Sequence, residues 1–112
     1  MNTNIKNCPP WISLSTMSKY GWTYIMSNSR RTVFYIGVTS DIENRIRQHK
    51  FGMYDGFTKR YNCHDLIYYE EFDDILVAIQ REKQIKRWRR SWKLDQIKSI
   101  NPELEDLSYK FL

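Results

Sequence analysis

Glu82 stands in what should be the apolar stripe of an amphipathic helix, where Ile75, Ala78, Glu82 and Ile85 fall at the i, i+3, i+7, i+10 positions of one face. A carboxylate is costly to bury unless it is paired, hydrogen-bonded or bound to a metal. The segment running on from Arg81 to Lys93, read as a continuing helix, contributes Arg81, Lys83, Lys86, Arg87, Arg89, Arg90 and Lys93 and no other acid. A lone acid in so basic a run suggests a metal ion held beside a bound polyanion. The simpler alternative is an ion pair with Arg45, Lys86 or another cation at the edge of the stripe.

The elements that would position such a group follow from local patterns. Trp22–Ser27 and Thr32–Gly37 are rich in aromatic and β-branched residues and flank the polar loop Asn28-Ser29-Arg30-Arg31, which predicts an antiparallel hairpin. Pairing Ser27 with Thr32 would set Tyr24 directly opposite Tyr35, side by side on one face. Ser40-Asp41-Ile42-Glu43 is a capping-box pattern that starts a helix reaching about Lys50. On that helix Ile42 and Ile46 face the core, and Arg45 and His49 lie one turn apart on a neighbouring face. Gly52 and Gly56 mark a mobile, aromatic and basic loop over 51–61. Leu66–Phe72 reads as a third strand, and Asp73 or Asp74 as the N-cap of the helix that carries Glu82. A last helix from Ser91 to Ile100 stops at Asn101-Pro102, because the residue before proline is pushed out of helical geometry.

Residues 1–19 mix Asn, Thr, Ser and Lys around Pro9-Pro10 with no apolar period and read as a flexible arm, with Met17 as an alternative start. This leaves one domain over 20–107 and a short tail over 108–112. At 112 residues there is room for one modest core. The 18 Lys and Arg against 13 Asp and Glu give a formal charge of +5, and aromatics make up 15% of the chain. That balance favours a phosphate-rich partner. Cys8 and Cys63 have neither the number nor the spacing for a zinc site or a disulfide framework, which points to a reducing, cytoplasmic setting. No run is long and apolar enough to span a bilayer, so no membrane partner is expected.

Tyr24, Tyr35, Arg45, His49 and Glu82, each placed by local reasoning, together resemble a known set. The chain is similar to the GIY-YIG nuclease superfamily, and specifically to the small stand-alone members of UPF0213 type related to the nuclease domain of the bacterial excision-repair subunit UvrC. The second signature tripeptide is intact as Tyr35-Ile36-Gly37, followed ten and fourteen residues after Tyr35 by Arg45 and His49. The first is degenerate, Trp22-Thr23-Tyr24, with only its tyrosine kept. Arg81-Glu82-Lys83-Gln84-Ile85-Lys86-Arg87-Trp88 resembles the glutamate-bearing helix of the small members. The resemblance covers roughly Tyr20 to Leu107.

It implies an α/β domain of α+β type, with a small three-stranded antiparallel sheet flanked by helices, and a metal-dependent endonuclease that hydrolyses phosphodiester bonds. DNA is the favoured substrate, single-stranded or branched forms included, with no small-molecule cofactor. Glu82 would be the ligand of one divalent ion, Mg2+ or Mn2+, which needs few protein carboxylates because it keeps most of its waters. Arg45 would offset charge building on the phosphate. Tyr24 would contact the attacking water and act as base after passing its proton to His49, and Tyr35 would orient the water or phosphate. Lys59, Arg60, Lys83, Lys86, Arg87 and Arg90 would grip the nucleic acid. The family's usual asparagine soon after the glutamate is missing. Asn101 is the nearest, at a helix end unsuited to that role. His64 reads as structural, and Trp88 and Trp92 as inter-helix packing. A non-catalytic nucleic-acid-binding module with the same fold, or a protein-interaction domain whose charge serves solubility, would share these features. Metal dependence and salt dependence separate the three. The oligomeric state is left open.

Overall fold

The computed structural model describes residues 20–51 and 56–112. The arm expected over 1–19 and the centre of the loop expected over 51–61 lie outside the described residues. In chain order the elements are β1 (Gly21–Ser27), β2 (Phe34–Thr39), α1 (Ile42–Lys50), α2 (Phe57–Arg60), β3 (Asp65–Phe72), α3 (Ile75–Arg87), α4 (Arg90–Ile100) and a 3-10 turn, Ser108–Lys110. The strands form one antiparallel sheet in the order β2-β1-β3. This is the expected α+β domain, a three-stranded sheet flanked by helices.

The register of the hairpin differs from the expected one. Ser27 pairs with Phe34 rather than with Thr32, so Tyr24 lies opposite Gly37 and Tyr35 opposite Met26. The reason is a larger loop closed by Asn28, whose side-chain oxygen accepts from the backbone of Thr32 (2.9 Å) and Val33 (3.1 Å), while Arg31 takes a left-handed φ of 59°. A slip of two residues preserves the faces, since side chains alternate with period 2. Tyr24 and Tyr35 therefore remain on one face as diagonal neighbours.

Each face of the sheet carries its own core. Tyr24, Met26 and Leu66 pack with Ile42 and Ile46 of α1 on one side. On the other, Ile25, Ile36, Ile67 and Tyr68 pack with Ile85 of α3 and Ile97 of α4, and Val38 packs with Ile75, Ala78 and Ile79. β3 contains a bulge: Leu66 pairs with Met26 and Tyr68 with Ile25, leaving Ile67 as the extra residue. The Thr23 hydroxyl donates to the Ala78 carbonyl (2.7 Å) and fixes α3 against β1.

Helix α1 begins one residue later than the capping box suggests. Asp41, not Ser40, is the N-cap, accepting from the Asn44 backbone N–H, and its own N–H is held by the Thr39 hydroxyl. Asp74 caps α3 in the same way. The basic run from Arg81 to Lys93 is not one helix. Trp88 and Arg89 are both extended (ψ 148° and 160°) and separate α3 from α4. Trp88 turns its half-buried ring onto the Ile25–Ile85 core, and the Arg81 guanidinium lies 5.1 Å from the ring centroid.

Beyond α4, Asn101 is buried and uses its amide to hold backbone. It donates to the carbonyls of Ile67 (2.9 Å) and Glu105 (2.8 Å) and accepts from the Glu105 N–H. Asp106 and Leu107 then bond the backbone of Leu66 at the start of β3. The segment 108–112, expected as a tail, is packed: Ser108 is buried and Phe111 meets the Tyr69 ring edge-on at 4.9 Å. Among the described residues no helix is long and apolar enough to cross a membrane.

Asn101→Ala leaves two carbonyls and an N–H without their partner in a buried setting. It should lower unfolding stability by about 1–3 kcal/mol in urea denaturation. An unchanged midpoint would show that the C-terminal segment is held by other contacts.

Candidate active site

The site is built where β2 has no side chain. A Cβ on Gly37 would lie 2.5 Å from Cζ of Tyr24 and 2.6 Å from its hydroxyl oxygen, closer than atoms can approach. The Tyr24 ring therefore rests directly on the Gly37 backbone. The packing of Val38 with Ala78 and Ile79, and the placing of Ile36 and Ile85 in one core, bring Gly37 level with Glu82 on the far side of the strand. β2 is the edge strand of the sheet. Glu82 is near enough to Tyr24 for its charge to act on the phenol.

On the Tyr24 side three rings gather. The centroid of Tyr24 is 6.4 Å from that of Tyr35, and His49 stands 5.7 Å from each. The Tyr24 hydroxyl and His49 Nε2 are 3.1 Å apart in a hydrogen bond whose direction depends on the imidazole tautomer. His49, read from sequence as lying on a neighbouring face of α1, is fully buried. Its backbone carbonyl accepts from His64 Nδ1 at 2.6 Å, which ties the end of α1 to the approach to β3 and gives His64 a structural role.

Burial dominates the electrostatics. It pushes the Tyr24 phenol well above the ordinary tyrosine range; Tyr35 and Glu82 add to the rise, and the Arg45 guanidinium opposes it. Burial also lowers His49 to about 4, helped by the positive charge of Arg45 and by His64. At neutral pH the pair is a protonated phenol against a neutral imidazole. Arg45, half-buried and one turn before His49, acts on both groups and so belongs to the cluster.

Glu82 is 9% exposed, and its Oε2 lies 2.6 Å from the ammonium of Lys86, whose own side chain is mostly in solvent. The ion pair raised as the simpler alternative is therefore present, with Lys86 as the cation. Among the described residues no three of His, Cys, Asp and Glu gather. The oxygen groups nearest one another here are one carboxylate and two phenols. This hard set fits a small divalent ion that retains water, and does not fit a zinc-type cage.

The expected nucleic-acid contacts are dispersed. Lys59 and Arg60 are exposed on α2 beside a cavity of about 560 Å³ whose described lining is Gly56, Lys59, Arg60 and Tyr61. Lys83 and Arg87 face a different groove on the outer side of α3. Arg90 braces the hairpin loop, with its guanidinium 4.2 Å from the Phe34 ring centroid and bonded to the Arg31 carbonyl.

A buried imidazole held near 4 makes stability depend on pH. The unfolded chain binds its proton near the ordinary value of about 6.5 while the folded chain resists until about 4, so stability rises with pH through that window and falls as pH drops from 6.5 to 4. In urea titrations His49→Gln should flatten this slope, by about 3 kcal/mol over the window. Parallel profiles for the two proteins would contradict a neutral buried His49.

Comparison with known proteins identifies the family and the fold. Residues 20–95 match the family model described as the GIY-YIG catalytic domain. A UPF0213 protein of Syntrophus aciditrophicus is 39% identical over 88 residues, 78% of this chain and 98% of the relative. Another, from Haloquadratum walsbyi, is 34% identical over 77 residues, 69% of this chain and 85% of the relative. The solution structure of a UPF0213 protein from Bacillus halodurans superposes with a TM-score of 0.51 at 22% identity, over 78% of this chain and 92% of the other, and so shares the fold. By the match over residues 20–95 and the identity to these relatives, the chain belongs to the GIY-YIG catalytic domain family, among the small UPF0213 proteins.

Proposed function

We propose that the protein is an endonuclease that hydrolyses phosphodiester bonds, with DNA as its substrate and Mg2+ or Mn2+ as its cofactor. The observation that supports this reading best is the convergence of Tyr24, Tyr35, His49 and Arg45 on one side of Gly37 with the carboxylate of Glu82 on the other. Glu82 would hold the ion, which when bound would polarise the scissile phosphate and stabilise the leaving 3′ oxygen. Lys86 is exposed and flexible enough to release the carboxylate to a more highly charged partner.

The remaining chemistry falls to the chain. In the tautomer whose Nε2 carries no proton, a neutral His49 would accept from the Tyr24 hydroxyl, leaving the phenol oxygen free to accept from the attacking water. As water attacks phosphorus, its proton passes to Tyr24 while the phenol's own proton passes to His49. Burial opposes that charge separation in the free protein, and a bound phosphate anion beside the ring favours the imidazolium. Arg45 offers a planar fork of donors to the phosphate oxygens as charge grows on them. Tyr35, on the same face, orients the water or the phosphate. Lys59, Arg60, Lys83, Arg87 and Arg90 contribute positive charge to holding the flanking strand.

The Glu82–Lys86 pair favours a second reading, a module that binds nucleic acid without cutting it. Glu82→Gln separates the two. In cleavage assays with Mg2+ or Mn2+ the variant should lose cutting and bind substrate nearly as well as wild type. A wild type that binds in a salt-sensitive way and never cuts would support the binding module, and an unfolded variant would make Glu82 a structural ion pair. Arg45→Ala should cost about 2–4 kcal/mol in turnover and far less in substrate affinity. Equal losses in both would remove Arg45 from the transition-state role.

A further inference from the structure

The outer face of α3 bears a groove, on the opposite side of the helix from Glu82. Gln80, Lys83, Gln84 and Arg87 recur at i, i+3, i+4 and i+7, and with Trp88 and Trp92 they line an open groove of about 460 Å³. The lining contains two cations, two amides, two indoles and no acid. Trp92, expected from its spacing to be packed between helices, is instead 50% exposed, because the break at Trp88–Arg89 turns α4 away. The Arg89 guanidinium lies 4.8 Å from its ring centroid, and Arg81 stands over Trp88 at 5.1 Å, so both indoles are held by stacked cations rather than left loose. Gln84 is positioned through its Oε1 by Arg81, which leaves its amide nitrogen as a donor.

We propose that this groove binds an unpaired nucleobase of a single-stranded segment that continues from the cleavage site. The inference rests on the reading of the protein as a nucleic-acid enzyme and names its substrate class as one with a single-stranded flank. Three features point to that occupant. An exposed indole held beside an arginine is a stacking platform for any base. The glutamine amides offer both donors and acceptors to a base edge, which duplex pairing would conceal. The cations also form a path: at about 100° per residue, Lys86, Lys83 and Arg87 succeed one another around α3, starting beside Glu82. A strand whose phosphates follow that path passes from the catalytic side of the helix to the tryptophan groove. A duplex keeps its bases stacked inside and has nothing to place there.

The test compares wild type, Trp92→Ala and Trp92→Phe by fluorescence anisotropy in chelator, with a labelled oligothymidine, a duplex of the same length and a labelled poly-glutamate peptide. Trp92→Ala should weaken binding of the single strand by about tenfold, the loss expected for one stacked base, while duplex binding is unchanged and Trp92→Phe retains most of the affinity. Single-strand binding untouched by Trp92→Ala, or equal loss for single strand and duplex, would overturn the inference and leave the nuclease reading standing. Loss of peptide binding alone would assign the groove to an acidic protein segment and overturn it too. A wild type that binds neither nucleic acid would overturn both readings. Because binding is read without metal, failure of cleavage does not enter the result.

Discussion

Everything at the centre of this protein depends on the volume left free by Gly37. The Tyr24 ring occupies the place where any side chain at that position would sit, so the ring, the strand and the pairing of β1 with β2 specify one another. Even one methyl group would force Tyr24 off its seat in a close-packed core. The same bare backbone is what separates Tyr24 from Glu82. The sheet's two faces carry different helices, α1 on one and α3 on the other, and charges from both, Arg45 and Glu82, act on the Tyr24 ring that rests on Gly37.

The electrostatic state of the site follows from that packing. Burial holds the phenol of Tyr24 protonated and His49 neutral, and Arg45 reinforces the second while opposing the first. Under the proposed function, a site in this state would receive an anionic substrate. A bound phosphate would offset the Arg45 charge that adds to burial in lowering His49, and its oxygens would match the planar donors of the guanidinium. Lys86 balances the buried carboxylate of Glu82, a role that the proposed divalent ion would take over. The ion pair and the proposed metal site are therefore compatible as two states of one residue.

Much of this was legible in the residues. Glu82 could be singled out because a carboxylate breaks an apolar stripe, and the structure buries it there. Tyr24 and Tyr35 could be placed on one face because alternation survives an even slip of register. The register itself was not legible, since it is set by the side chain of Asn28 bonding the backbone four and five residues on. The break at Trp88 was legible only in part: a separate helix could be read from Ser91, one residue from its start at Arg90, but no glycine or proline marks where α3 ends, and the break arises where a large ring turns into the core. For the same reason the exposure of Trp92 could not be foreseen. The burial of His49 was not legible, because helical spacing sets it beside Arg45 on a face next to the core face and says nothing of a strand tyrosine arriving to cover it. The contacts that bind the C-terminal segment to β3 join residues 34 to 41 positions apart, beyond the reach of any local pattern.

The most direct test of the site is an anomalous diffraction map from crystals grown with Mn2+. If Glu82 is the metal ligand, the map will show an ion coordinated by its carboxylate on the side facing Tyr24, with the Lys86 ammonium displaced. An intact Glu82–Lys86 pair at saturating Mn2+, with no anomalous peak beside it, would contradict the proposed centre and reduce Glu82 to a structural charge.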